Sequence, residues 1–292
     1  MHVIALPGDG QLACELAHEW QCGWSELAVH RFPDGEDLVR IDASVQGQRV
    51  ILAGSLDRPG DKTLPMLFAA DAAREMGATQ VGLVAPYLAY MRQDIRFHPG
   101  EAISSRTYAR LLSASLDFLV TVDPHLHRWH SLDEVYTVPA VAVAAAPAIA
   151  QWIKTHVDRP FLVGPDAESA QWVEQVARLC AAPWAVLEKT RLGDSEVRVS
   201  LVAPETPAGA TPVLLDDIVS TGGTLRAAAA VLRERGMAAP VCVAVHMLAD
   251  AQALARLRAG GLATIASCDS VRHPTNAIAL APLLARALPA AS

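Results

Sequence analysis

The sequence predicts an α/β protein of two domains, each a mostly parallel sheet flanked by helices, and three observations carry that prediction. A chain of 292 residues that is 52% hydrophobic has apolar material for two cores, at about 150 residues per domain. Its short apolar runs lack the in-and-out alternation of half-exposed strands and read as strands buried on both faces. Between those runs lie Ala- and Leu-rich stretches with helical patterning, and strands alternating with helices build parallel sheets covered on both sides.

In chain order, the strand candidates are RVILAGSL (49–56), QVGLVAPY (80–87), FLVTVD (118–123), FLVGPD (161–166), WAVLEK (184–189), EVRVSLV (196–202), PVLLDDI (212–218), VCVAVHM (241–247) and LATIAS (262–267). The helix candidates are TLPMLFAADAAREMGA (63–78), SSRTYARLLSAS (104–115), AESAQWVEQVARLC (167–180) and TLRAAAAVLRERGM (224–237). Two of these close at a Gly-containing turn. The Pro- and Ala-rich stretch near 138–147 is the expected boundary, giving domains 1–146 and 147–275, and the tail 276–292 contains a final helix.

A formal charge of −7 argues against a nucleic-acid partner, which calls for a basic surface. A small anionic substrate stays open, because local charge can oppose the net sign. Cys14, Cys22, Cys180, Cys242 and Cys268 are odd in number, far apart and form no CxxC pair, so they read as reduced core thiols. The N-terminus lacks a basic segment and meets Pro7 and Gly8 early, unlike a secretory signal. The longest apolar stretch, VPAVAVAAAPAIAQWI (138–153), is cut by Pro147 and falls short of the roughly 20 residues that span a bilayer. A cytoplasmic protein without a membrane partner is expected.

Ligands of open parallel sheets bind beyond the carboxyl ends of strands, so polar residues that follow apolar runs are the candidates for chemistry. The densest such segment is VLLDDIVSTGGTL (213–225): a buried strand ending at Asp216 and Asp217, then a loop into a helix. Gly222 and Gly223 let a ligand approach the backbone, and free N–H groups at the helix start suit a phosphate. Ser220, Thr221 and Thr224 add hydroxyls, and the aspartates can accept from a polyol. The bland alternative is a helix cap with two solvated aspartates. TVDPHLHRWH (121–130) holds His125, His127 and His130, and an HxH pair can present two imidazoles on one side of an extended chain, as a transition-metal site would. LEKTRLGDSEVRV (187–199) puts Lys189 and Arg191 on one side of an extended chain, where solvated charges on a hairpin are the common reading. Arg92, within PYLAYMRQDIRFHPGEAIS (86–104), carries a forked donor suited to phosphate oxygens. RFPDGE (31–36) is by itself a turn.

VLLDDIVSTGGT resembles the phosphoribosyl diphosphate binding loop shared by type I phosphoribosyltransferases and ribose-phosphate diphosphokinases. From RFPDGEDLVRI through to APLLARAL the chain is similar to the diphosphokinases, whereas the shorter, single-domain phosphoribosyltransferases would leave the N-terminal half unexplained. The resemblance implies two domains of type I phosphoribosyltransferase-like fold, with the C-terminal tail returning to the first. It implies transfer of diphosphate from ATP to the C1 hydroxyl of ribose 5-phosphate. Ser220, Thr221, Gly222, Gly223 and Thr224 would hold the 5-phosphate, and Asp216 and Asp217 the ribose hydroxyls. Arg92, Gln93 and Asp94 would border the ATP site. Phe32, Asp34 and Glu36 would form the adenine pocket across a subunit interface, so a homo-oligomer is expected. His125 and Asp166 would serve magnesium, and Lys189 and Arg191 would be the catalytic cations. His127 and His130 match no family ligand. Two departures stand out: Glu168 and Ser169 occupy positions where the family often has glycine, and Ser220 replaces a common acid, which leaves regulation open. A phosphoribosyltransferase and an inactive regulatory subunit remain the competing readings.

Overall fold

The computed structural model describes residues 1–126, 128–191, 197–202 and 207–290, with backbone only for 188–191 and 197–202. The chain divides into two compact units, Met1–Val143 with Leu280–Ser292, and Ala144–Ala279.

The first unit runs β1 (His2–Ala5), α1 (Gly10–Glu19), β2 (Gly23–Glu26), β3 (Ala28–Arg31), β4 (Asp37–Arg40), β5 (Arg49–Ala53), α2 (Pro59–Glu75), β6 (Gln80–Ala85), α3 (Ser104–Ser115), β7 (Phe118–Val122) and β8 (Ala140–Val143). Six of these strands form one sheet in the order β2-β1-β5-β6-β7-β8, parallel throughout. Every residue of β7, and all but the first of β5 and of β6, is buried, as a sheet covered on both faces requires. β3 and β4 pair separately as an antiparallel hairpin, clamped beside its turn by a forked Arg31–Asp37 ion pair at 2.9 and 3.0 Å.

The second unit continues with α4 (Ala146–His156), β9 (Pro160–Gly164), α5 (Ala170–Cys180), β10 (Trp184–Arg191), β11 (Val197–Val202), β12 (Thr211–Val219), α6 (Gly223–Glu234), β13 (Val241–Met247), α7 (Ala251–Ala259), β14 (Thr264–Cys268) and β15 (Asn276–Ile278). Its sheet has the order β11-β10-β9-β12-β13-β14-β15, antiparallel only between β10 and β11. β13 is buried over all seven residues. α7 starts sharply because the Asp250 carboxylate accepts from the Ala253 N–H at 2.7 Å, satisfying one of the free donors of its first turn. The chain then re-enters the first unit as α8 (Ala281–Arg286), which packs on α1 and accepts a hydrogen bond at the Ala285 carbonyl from Trp20 Nε1, 3.0 Å.

Each of the nine apolar runs contains a strand. The division between the units falls within 138–147, between Val143 and Ala144, and that stretch forms β8 and the start of α4, because alternating small apolar residues fit a sheet edge and Pro147 opens a helix well. Two readings need correction. The tail is not helical from its start, since Asn276–Ile278 adds a strand beside β14. The cysteines are all free, but only Cys242 and Cys268 are core residues; Cys14 lies on the exposed side of α1. Among the described residues no helix is long and apolar enough to cross a membrane.

Candidate functional site

The order of the second sheet creates a crevice. From β9 the chain turns outward through α5 to β10, and from β12 it turns the other way through α6 to β13, so the connections diverge between neighbouring strands β9 and β12. A doubly wound sheet opens a ligand site at the carboxyl end of such a switch point. Three acids stand there. Asp166 follows β9, where its carboxylate accepts from the Ser169 N–H at 3.2 Å and its carbonyl from the Ser169 hydroxyl at 2.6 Å, so Ser169 shapes the turn. Asp216 and Asp217 lie on β12 beyond Leu214, the last residue that pairs with β9. Burial first, then the charges of Asp217 and Asp166, push the Asp216 carboxyl up to about 8.

The strand does not end at the aspartates, as the sequence suggested. Pairing with β13 carries β12 on to Val219, opposite Met247. Ser220 and Thr221 are exposed, and α6 begins at Gly223, so Thr224 belongs to its first turn. No side chain caps that helix start, which leaves its N–H groups and dipole facing the loop. Gly222 is required for a reason internal to the fold. Its φ is +71°, and a Cβ there would sit 2.5 Å from Leu257 Cδ2 on α7. Gly223 meets nothing closer than Thr221 Oγ1 at 3.9 Å and keeps the approach open.

Lys189 and Arg191 lie on β10 opposite Val199 and Val197 of β11. The last β10–β9 pair is Val186 with Gly164, so both positions continue past the end of β9, on the side where Asp166 stands. Their side chains fall outside the described residues, as does the whole of His127.

In the first unit the predicted residues fall in two places. Phe32, Asp34 and Glu36 form the exposed tip of the β3–β4 hairpin. Asp34 is engaged in the turn itself, accepting from the Glu36 N–H at 3.1 Å, and Phe32 stands edge-on to His30 at 4.7 Å between ring centres. Arg92 and Gln93 are exposed on the connection that leaves β6, and His125 is half-buried on the connection that leaves the adjacent β7. Asp94 does not face solvent: its side chain is 2% exposed and both carboxylate oxygens accept from Arg128 Nη1 at 3.0 and 3.2 Å. His130 is exposed and bound to Glu134.

This unit has its own switch point, between β1 and β5, and it is filled from within. Lys62, in the first turn of α2, donates to Asp9 at 2.9 Å, to Asp57 at 2.8 Å and to the Ser55 carbonyl at 2.7 Å, with its side chain 14% exposed. Sequence reasoning passed over Lys62, Asp9 and Arg128; the aspartates that close on the two cations come from distant or unmarked segments, so no short spacing advertises them.

Among the described residues no three His, Cys, Asp or Glu side chains converge as a metal centre. The HxH reading needs His127, which lies outside the described residues. The acids that act on one another here, Asp166, Asp216 and Asp217, offer oxygen donors without a converged coordination shell, which suits only a hard cation that keeps most of its waters.

Residues 1–115 match the family model of the N-terminal domain of ribose phosphate pyrophosphokinase, and residues 131–273 match the phosphoribosyl transferase domain. The chain is 36% identical to the ribose-phosphate pyrophosphokinase of Methanopyrus kandleri over 291 residues, covering 99% of this chain and 98% of the relative. It is 31% identical to that of Methanothermobacter thermautotrophicus over 287 residues, covering 97% and 98%. The crystal structure of phosphoribosylpyrophosphate synthetase from Mycobacterium smegmatis matches with a TM-score of 0.83 at 27% identity, over 98% of this chain and 96% of that one.

Proposed function

The chain belongs to the ribose-phosphate pyrophosphokinase family and is an enzyme of that kind, and from this premise we propose that it transfers the diphosphoryl group of ATP to the C1 hydroxyl of ribose 5-phosphate with magnesium, releasing AMP. The observation that carries the reading is the crevice of the second unit, where Asp166, Asp216 and Asp217 stand beside the uncapped start of α6.

The acceptor binds with its 5-phosphate on the Ser220–Thr224 turn. Backbone N–H groups donate to the phosphate oxygens, the hydroxyls of Ser220, Thr221 and Thr224 add donors, and the helix dipole favours the negative charge. Asp216 and Asp217 accept from the 2- and 3-hydroxyls, which orients C1 for attack on the β-phosphorus. ATP is bound by the first unit, with Arg92 and Gln93 on its phosphates and ribose. Phe32 stacks on adenine while Glu36 accepts from the nucleotide, supplied across an interface between two copies of the chain. His125 in the first unit would serve the magnesium that arrives with ATP, and Asp166 in the second would hold a second ion or its waters. When bound, the ion neutralises phosphate charge and draws electron density from the transferring phosphorus.

The protein itself performs little covalent work in such a transfer, so positioning and charge stabilisation carry the rate. Lys189 and Arg191 meet the charge that develops on the transferring group, from a β10–β11 ladder that runs past β9. The described residues present no general base.

The test is AMP formation from ATP and ribose 5-phosphate, with Lys189→Ala alongside wild type. Wild type should form AMP and 5-phosphoribosyl 1-diphosphate in equal amounts only with magnesium. Lys189→Ala should lose about a hundredfold to a thousandfold in kcat. No AMP from wild type at saturating substrates and magnesium sinks the proposal.

A further inference from the structure

The Asp94–Arg128 pair joins two loops. One leaves β6 and presents Arg92 and Gln93; the other leaves β7 and presents His125. Between the exposed Arg92 and Gln93 and the half-buried Ile95, Asp94 turns inward and becomes one of the few buried charged residues of the chain. A buried carboxylate persists only where a partner compensates it, and Arg128 does so with one guanidinium nitrogen shared between both oxygens, at 3.0 and 3.2 Å.

The neighbours of the pair reinforce the link. The Gln93 carbonyl accepts from the Ser105 N–H at 3.3 Å, which ties the first loop to the start of α3. Trp129, next to Arg128, packs on the core and lies beneath Arg106 of α3, 5.2 Å from guanidinium carbon to ring centre. At the root of the loops, the Val122 N–H donates to the Pro86 carbonyl at 3.2 Å. Arg128 and Trp129 are therefore tied to the 92–94 turn and to α3, and the only ion pair that crosses directly to the turn itself, among the described residues, is made by Arg128.

We propose that Arg128 is a positioning residue of the nucleotide site: by neutralising the inward-turned Asp94 it fixes the turn that presents Arg92 and Gln93 at a set place beside His125. This rests on the reading that Arg92 and Gln93 bind ATP. Without Arg128 the carboxylate turns outward to water and carries both neighbours with it. The acceptor site on the second unit has no share in this change.

The experiment measures kcat and separate KM values for ATP and ribose 5-phosphate on the full chain, for wild type, Arg128→Gln, Arg128→Lys, Asp94→Asn, the Arg128→Gln/Asp94→Asn double variant and Arg92→Ala. A displaced turn should raise the ATP KM of Arg128→Gln and of Asp94→Asn by about 10- to 100-fold and leave the ribose 5-phosphate KM within about twofold. Arg128→Lys, which keeps the charge, should recover most of the ATP affinity. The double variant should be no worse than the poorer single one, because both remove the same interaction. Simple loss of folded protein lowers kcat and spares both KM values, so it is told apart; if Arg128→Gln does not fold, Asp94→Asn is read in the same way. The inference is overturned if Arg92→Ala raises the ATP KM while Arg128→Gln and Asp94→Asn do not, or if both substrates are affected alike. If Arg92→Ala itself leaves the ATP KM unchanged, the nucleotide reading falls, and this inference with it.

Discussion

Gly222 and Gly223, adjacent in the turn that precedes α6, should respond differently to the same methyl group. In Gly222→Ala the new Cβ has two costs. The backbone sits at φ +71°, which costs an L-residue about 1–2 kcal/mol. The methyl also lands 2.5 Å from Leu257 Cδ2 and 2.7 Å from its Cγ, an overlap that displaces a fully buried side chain of α7 at about 1–3 kcal/mol. Together these give about 2–5 kcal/mol, which at a urea dependence of about 2 kcal/mol per molar lowers the unfolding midpoint by roughly 1–2.5 M. In Gly223→Ala the methyl meets open space at a helical position, so stability should hold or rise by up to about 1 kcal/mol. Urea titration of both variants by far-ultraviolet circular dichroism reads the difference. An unchanged midpoint for Gly222→Ala, or an equal loss in both, would refute the assignment of Gly222 to internal packing and Gly223 to ligand approach.

Two further outcomes follow from the buried charges. The Asp216 carboxyl has its folded pKa raised to about 8, above an unfolded value near 3.8, so its contribution to stability is complete at low pH and is lost as pH rises through about 8. In metal-free protein the urea midpoint of the second unit should therefore fall between about pH 4 and pH 8, and Asp216→Asn should flatten that dependence; an unaltered slope in the variant removes Asp216 as its source. Replacing Lys62 by Met leaves Asp9 and Asp57 without their counter-charge, at side-chain exposures of 10% and 21%. That should destabilise the first unit by about 3–5 kcal/mol, and a calorimetric melt that did not shift would contradict it.

The parts of the fold that the sequence announces are those where burial is symmetric. VCVAVHM and FLVTV are buried at every position because both sheet faces are covered, and they are apolar throughout except for His246 and Thr121. The β3–β4 hairpin escaped notice because AVHR and DLVR are short and half-exposed, so their hydrophobic signal is diluted. The extent of β12 was hidden for another reason: Asp216 and Asp217 look like a strand terminus, yet β13 supplies ladder partners beyond them. The turn 220–224 is legible because its residues are consecutive. Asp94 is placed at the ATP border only by the resemblance of its segment, and the folded chain shows that a residue 34 positions away turns it inward.

The Lys62 contacts make the two crevices of this molecule differ in kind. Both sheets diverge in the same manner and both place carboxylates at the point of divergence. In the second unit Asp166 and Asp217 stand close enough to raise the Asp216 carboxyl. In the first, α2 brings its own ammonium group to the same place. A topological opening is thus an opportunity that a single side chain can close.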